Sequence, residues 1–156
     1  MDLETLHHEF SSAATEVLQE AAYVFVSPVE IQVHERPNAE ERVRIRIPFI
    51  SDRRKGGFEA SATRDLCLKL NAEMLGAEDL EGMEGFQPSE VIGEVLNMVA
   101  GLTLSRILEE GETWELGVPE TVLEGSFSNT CGDVGVELLL ETEEGDCIEL
   151  SLGVSE

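Results

Sequence analysis

The sequence predicts an α+β fold in which two long helices pack on a mainly antiparallel β-sheet. Three observations carry that expectation. Apolar residues recur at helical spacing over residues 3–22 and again over 88–108, which lays a buried stripe along each segment. Residues 42–63 and the stretch from 114 onward instead alternate in short runs broken by Gly, Asp and Glu turns, as strands do. The resulting order of helix, strands, short helix, long helix and strands suits helices laid over one sheet.

Composition bounds the chain before any element is placed. At 156 residues the length suits a single domain spanning 1–156. Leu, Ile, Val and Phe make up 46 residues, above the roughly 20% level below which highly charged chains stay disordered. A folded acidic domain is therefore expected. With 33 Asp and Glu against 10 Lys and Arg, the formal charge is −23, which repels phosphate backbones and argues against a nucleic-acid partner. No apolar run approaches about 18 residues, and Met1-Asp2-Leu3-Glu4 lacks a positive n-region, so neither a membrane span nor a signal peptide is expected. Cys67, Cys131 and Cys147 are odd in number and lack C-x-x-C spacing, which points away from a disulfide framework and towards the reducing cytoplasm. His7, His8 and His34 have no Cys or His partners at ligand spacing, so no metal site of the chain's own is expected.

The elements follow in order. Leu3, Leu6, Phe10, Ala13, Ala14, Val17, Leu18 and Ala21 form the apolar stripe of a helix over 3–22, which Ser27-Pro28 is expected to stop. A short strand is expected at 29–34. Over 42–50, Val43, Ile45 and Ile47 point one way and Arg42, Arg44 and Arg46 the other, as in a strand with one buried face. The turn Asp52-Arg53-Arg54-Lys55-Gly56-Gly57 leads to a second strand, where Phe58, Ala60 and Ala62 alternate with Glu59, Ser61 and Thr63. Leu66, Leu70 and Met74 mark a helix over 64–75 that Gly76 closes. Residues 77–87 are acidic and punctuated by Gly, the composition of a surface loop. Pro88-Ser89-Glu90 opens the second long helix, which runs to about Leu108 with Gly111 closing it. Three strands are expected at 114–128, 134–141 and 146–153, with turns at 132–133 and 143–146. Thr15–Ala22 and Gly93–Ala100 share four of eight positions, a faint hint of an internal pseudo-repeat.

The second long helix is the most informative segment. Its apolar positions 91, 92, 95, 96, 98, 99 and 102 cover more than half the circumference, so it must be largely buried. Glu90, Glu94, Asn97, Gly101 and Ser105 follow steps of 4, 3, 4 and 4 and form one narrow polar line. An interior Gly costs about 1 kcal/mol relative to Ala, so Gly93 and Gly101 ask for a reason. A closely approaching surface is one, and helix packing is another. Spacing alone favours the solvated face of a buried helix.

At these residues the sequence resembles a known family. Gly93-Glu94-Val95-Leu96-Asn97-Met98-Val99-Ala100-Gly101 is similar to the active-site helix of the CheX members of the CheC/CheX/FliY chemotaxis phosphatases. The family pattern is Asp or Ser, then Glu, then Asn, then a Pro in a following segment. Here the Glu and Asn are Glu94 and Asn97, and the Pro is Pro119 within Gly117-Val118-Pro119-Glu120. Glu90 stands where Asp or Ser is usual, and Pro119 follows Asn97 by 22 positions, about one short of the usual interval. On the first helix, Glu16 and Gln19 occupy the place of the second Glu-x-x-Asn of double-site members, which fits a single-site pattern.

The resemblance implies a CheC-like fold, a homodimer, and hydrolysis of the aspartyl phosphate of a CheY-like response regulator. It implies no cofactor of the chain's own, with Mg²⁺ supplied in the partner's receiver domain. Glu94 would pair with the regulator lysine and Asn97 would orient the attacking water. Glu90, Gly93, Gly101 and Pro119 would meet the docked partner. An amide suits the second role, because it offers donors and an acceptor without adding charge beside an anionic transition state. The alternatives are a non-catalytic adaptor of the same fold, binding a receiver domain or a flagellar-switch component, and an acidic interaction domain with no signalling link. Seven of the ten basic residues (Arg36, Arg42, Arg44, Arg46, Arg53, Arg54, Lys55) fall within 36–55. They read either as a strand face neutralising nearby acid or as a patch for an acidic partner.

Overall fold

The computed structural model describes residues 2–29, 42–75, 87–122 and 134–155. Helix α1 is Leu3–Ala22. Asp2 caps it by accepting from the Glu4 N–H at 3.2 Å and the Thr5 hydroxyl at 3.1 Å, satisfying an otherwise orphan donor. The helix does not wait for Pro28 to stop it. Tyr23 turns to the left-handed region at φ 53°, and the Val24 N–H closes back on the Leu18 carbonyl at 2.9 Å, a C-terminal cap made with a residue other than glycine. Ser27-Pro28 lies beyond it, in strand β1, Val26–Pro28. Only Val29 of the strand expected at 29–34 is described, and its N–H bonds the Leu139 carbonyl at 2.9 Å; the remainder lies outside the described residues.

Strands β2 (Arg42–Ser51) and β3 (Lys55–Thr63) form the expected hairpin, in register from Arg42 opposite Thr63 to Ile50 opposite Lys55. Helix α2 is Arg64–Leu75 and helix α3 is Pro88–Ile107. Helix α3 ends where Leu108 leaves helical geometry at ψ 150°. Gly111, expected as the closing residue, instead supplies the positive φ (86°) of the following turn. The single strand expected at 114–128 is interrupted. Strands β4 (Trp114–Leu116) and β5 (Glu120–Thr121) both pair with β2, and Pro119 between them has no N–H to give to a ladder. Residues beyond 122 in that segment, the turn at 132–133, and Gly76 with residues 77–86 of the loop expected at 77–87 lie outside the described residues. Strands β6 (Val134–Thr142) and β7 (Cys147–Ser155) complete the sheet.

The sheet runs β1-β6-β7-β3-β2-β4, with every described pairing antiparallel. One face carries Ile45, Ile47, Phe58, Leu150 and Leu152 against the buried stripes of α1 and α3. Phe58 stands at the centre, with its ring 5.8 Å from Phe10 on α1 and 5.7 Å from Phe49 on β2. The fold is thus α+β, helices on an antiparallel sheet.

The opposite face of the sheet is polar but not solvated at its middle. Glu59, Ser61, Glu149 and Ser151 on β3 and β7 are buried. The Arg42 side chain, only 2% exposed, reaches Glu149 at 3.8 Å and donates to the Ser61 hydroxyl at 2.7 Å and its carbonyl at 2.9 Å.

Candidate functional site

Helix α3 buries Val91, Ile92, Gly93, Val95, Leu96, Val99, Ala100, Thr103 and Leu104. Thr103 satisfies its buried hydroxyl by donating to the Val99 carbonyl at 2.7 Å. With that much of the surface committed to the core, the polar line is the strip left over. Glu90, Glu94, Asn97 and Ser105 are exposed and Gly101 is half-buried. Glu94 and Asn97 are three residues apart, so their side chains rise from the same face. Among the described residues, no hydrogen bond or ion pair engages either one.

Pro119 comes to this helix through the turn that separates β4 from β5. A Cβ built on Gly93 would lie 3.7 Å from Pro119 Cβ, so the turn rests on the helix at the buried glycine next to Glu94. The turn is held from the other side by β2. The Gly117 N–H donates to the Pro48 carbonyl at 2.7 Å, and a side chain at 117 would meet Pro48 Cγ at 2.6 Å. Gly101 faces Trp114 more loosely, at 4.0 Å. Trp114 is partly buried against the core. Val118, beside Pro119, is 77% exposed. Sequence reasoning overlooked it, because one apolar residue in a Gly-x-Pro turn gives no periodic signal.

The first helix presents a different picture at the corresponding place. Glu16 is bound by Arg106 from the end of α3. A concavity of about 1200 Å³ is an open trough over the exposed side of α1, reached by His7, Ser11, Glu16, Gln19 and Arg106 but not by Glu94 or Asn97. It is a shallow surface rather than an enclosed cleft.

The basic segment is largely spent inside the chain. Arg42 pairs with Glu149 at 3.8 Å, Arg46 with Glu59 at 3.9 Å, Arg53 with Glu109, and Arg54 with Glu112 at 3.3 Å. Arg42 and Arg46 thus neutralise acids on the strand face, while Arg53 and Arg54, in the β2–β3 turn, meet acids that follow α3; Arg36 lies outside the described residues. Burial drives the Glu59 carboxyl up to about 6 against the opposing pull of Arg46 and Arg44. The Cys67 thiol is likewise driven up to about 12, and Cys147 is raised by burial, so neither is a ready nucleophile. Among the described residues, no group of three or more His, Cys, Asp or Glu is placed to hold a metal ion, and no helix is long and apolar enough to cross a membrane.

An antiparallel sheet carrying long helices is an arrangement found in solved proteins. No family model matches the chain, and no curated protein matches it. Solved structures do. The chemotaxis protein CheX from Vibrio vulnificus superposes with a TM-score of 0.71 at 18% identity, covering 96% of this chain and 95% of that one. A chain of the CheX–CheY–BeF₃–Mg²⁺ complex from Borrelia burgdorferi gives 0.72 at 15% identity, covering 99% and 100%. FliY from Thermotoga maritima gives 0.59 at 14% identity, covering 97% and 88%. The chain has the CheC/CheX-like fold.

Proposed function

We propose that this chain is a member of the CheC/CheX/FliY phosphatases, a single domain over 1–156, acting in the cytoplasm on the aspartyl phosphate of a CheY-like response regulator. The observation that carries the reading is the pair Glu94 and Asn97, exposed one turn apart on an otherwise buried helix and uncommitted to any described partner. The fold likeness supports it, since one of the similar structures is a complex with CheY.

In this reading α3 is laid against the receiver's phosphorylated aspartate. Water attacks phosphorus in line, the aspartate carboxylate leaves with the P–O bond electrons, and inorganic phosphate departs. Such transfer depends on positioning and charge neutralisation rather than covalent help. Asn97 accepts from and donates to the water on a short two-torsion arm. Glu94 grips the receiver's lysine and so sets the register of the helix on its target. Glu90, Gly93, Gly101 and Pro119 form the surrounding contact surface. Mg²⁺ belongs to the receiver, and the chain needs no cofactor of its own. A homodimer joined through the sheet edge completes the proposal.

The test is decay of a phosphorylated CheY-like receiver domain with Mg²⁺, in the presence and absence of the protein. Acceleration is expected. Asn97→Ala should remove it by on the order of 100-fold, the scale of losing one transition-state hydrogen-bonding group, while retaining binding. Glu94→Ala should weaken both docking and rate. Binding of the receiver with no acceleration by the unaltered chain would favour the adaptor reading, and turnover unchanged by both substitutions would remove the site assignment.

A further inference from the structure

A second surface lies outside the proposed site. Between the end of α1, helix α2 and the β6–β7 turn is a groove of about 280 Å³, floored by Val24 and Leu66. That volume is at the lower limit of small-molecule pockets, and it suits one or two side chains. Tyr23 and Phe25 border it, and both are largely in solvent, at 69% and 57% exposure. Two neighbouring exposed aromatics at one groove are not what an isolated domain needs.

Tyr23 is also the one described non-glycine residue at positive φ. Glycine is the usual occupant of that capping position and would hold it without strain. A strained backbone that presents an aromatic ring to solvent is an outlier from which function is reasonably argued.

The rim sets the sign of what would bind. Glu73, Glu143, Glu144 and Asp146 line the groove, against Lys69 as its one cation among the described residues. Lys69 is itself held by Glu144 at 2.6 Å and Asp146 at 2.7 Å. The rim is therefore negative and the floor apolar. A second copy of this chain, at net charge −23, would bring like charge to it.

We propose that the groove bounded by Tyr23, Phe25 and the β6–β7 turn docks a short segment of a partner protein, carrying a bulky apolar side chain flanked by lysine or arginine. The apolar side chain enters between the two rings, and the flanking cations meet Glu73 and Glu143. This surface is independent of Glu94 and Asn97, so it stands or falls apart from the phosphatase reading.

The probe is a phage-displayed library of random dodecapeptides, panned on the full chain. Enriched peptides should share an aromatic or branched apolar residue beside Lys or Arg. A labelled consensus peptide, followed by fluorescence anisotropy, should bind at least tenfold more weakly to Phe25→Ser and to Tyr23→Gly. The glycine suits the left-handed cap, so that variant keeps its fold. Glu143→Lys should weaken binding, while Glu4→Lys, at the far end of α1, should change it less than twofold. The proposal is overturned if no consensus emerges, if the consensus lacks basic residues, or if Phe25→Ser binds as well as the unaltered chain. Equal loss with Glu4→Lys and Phe25→Ser reduces the effect to bulk charge and also overturns it. Dissociation of a homodimer by Phe25→Ser in sedimentation equilibrium assigns the surface to a second copy instead.

Discussion

Gly93 on α3 and Pro119 in the β4–β5 turn face each other across the space of one small side chain, with 3.7 Å between a Cβ built on the glycine and the proline Cβ. That contact ties the exposed turn to the helix that bears Glu94 and Asn97. It also shows that Gly93 is not required by packing within the chain, because 3.7 Å is ordinary van der Waals distance. The same holds at Gly101, where a Cβ would lie 4.0 Å from Trp114.

The first prediction uses that room. Gly101→Ala should raise stability by up to about 1 kcal/mol, the helix-propensity difference, read as a higher urea midpoint. If the docked receiver approaches the helix there, the same variant should raise KM for the phosphorylated receiver. A rise in stability with KM and kcat both unchanged would remove Gly101 from the contact surface.

Two adjacent glycines in β3 should differ sharply in what a methyl group costs. A Cβ on Gly56 would sit 1.9 Å from the Gly153 carbonyl oxygen and 2.7 Å from the Phe49 ring. Backbone cannot yield there, so Gly56→Ala should cost about 3 kcal/mol or more. Gly57→Ala, whose Cβ would find its nearest neighbour at 3.6 Å, should lose much less. Denaturant unfolding of the two variants side by side checks the difference.

Glu59 should make stability fall as pH rises. Its folded value of about 6 exceeds the ordinary 4.5, so between these values the folded state binds more protons than the unfolded one, and the carboxylate becomes a penalty above about 6. Glu59→Gln should therefore stabilise the protein at pH 8 by at most about 2 kcal/mol, at 1.36 kcal/mol per unit. The gain should vanish below the unfolded value. Unfolding midpoints of variant and parent across that range provide the measurement.

Glu112 carries the opposite sign. The Ser51 hydroxyl, at 2.5 Å, and the neighbouring Arg54 hold its carboxyl below 4.5. Its contribution is present above 4.5 and is lost as pH falls through the lower folded value. Glu112→Ala should cost about 1–2 kcal/mol at pH 7, and the deficit should shrink in acid. A deficit that stays constant with pH would show that packing, not charge, is what the substitution removes.

Legibility of the fold tracked the kind of signal each element carries. Helix α1 was legible over 3–22 because its apolar stripe is local, but what stops it was not. Tyr23 in left-handed geometry has no sequence signature, whereas Pro28 has a strong one and proved irrelevant to the helix end. The β2–β3 hairpin was legible from alternation. The break at Pro119 was missed because the flanking residues continue a strand-like pattern while both short strands pair with β2. The polar line on α3 was legible from its 4-3-4-4 spacing, and its exposure follows from how much of the helix the core takes.

Periodicity, charge and composition were enough to determine the α+β class, the two long helices and the strip on which Glu94 and Asn97 lie. These are local properties, set by where apolar side chains recur along the chain. Tertiary structure alone decided which residues of that strip remain uncommitted, that Arg106 occupies Glu16, that four arginines of the basic segment are spent on acids within the chain, and that Tyr23 and Phe25 flank an acidic groove. Each depends on residues far apart in sequence meeting in space, and spacing along one element carries no information about what another element brings to it.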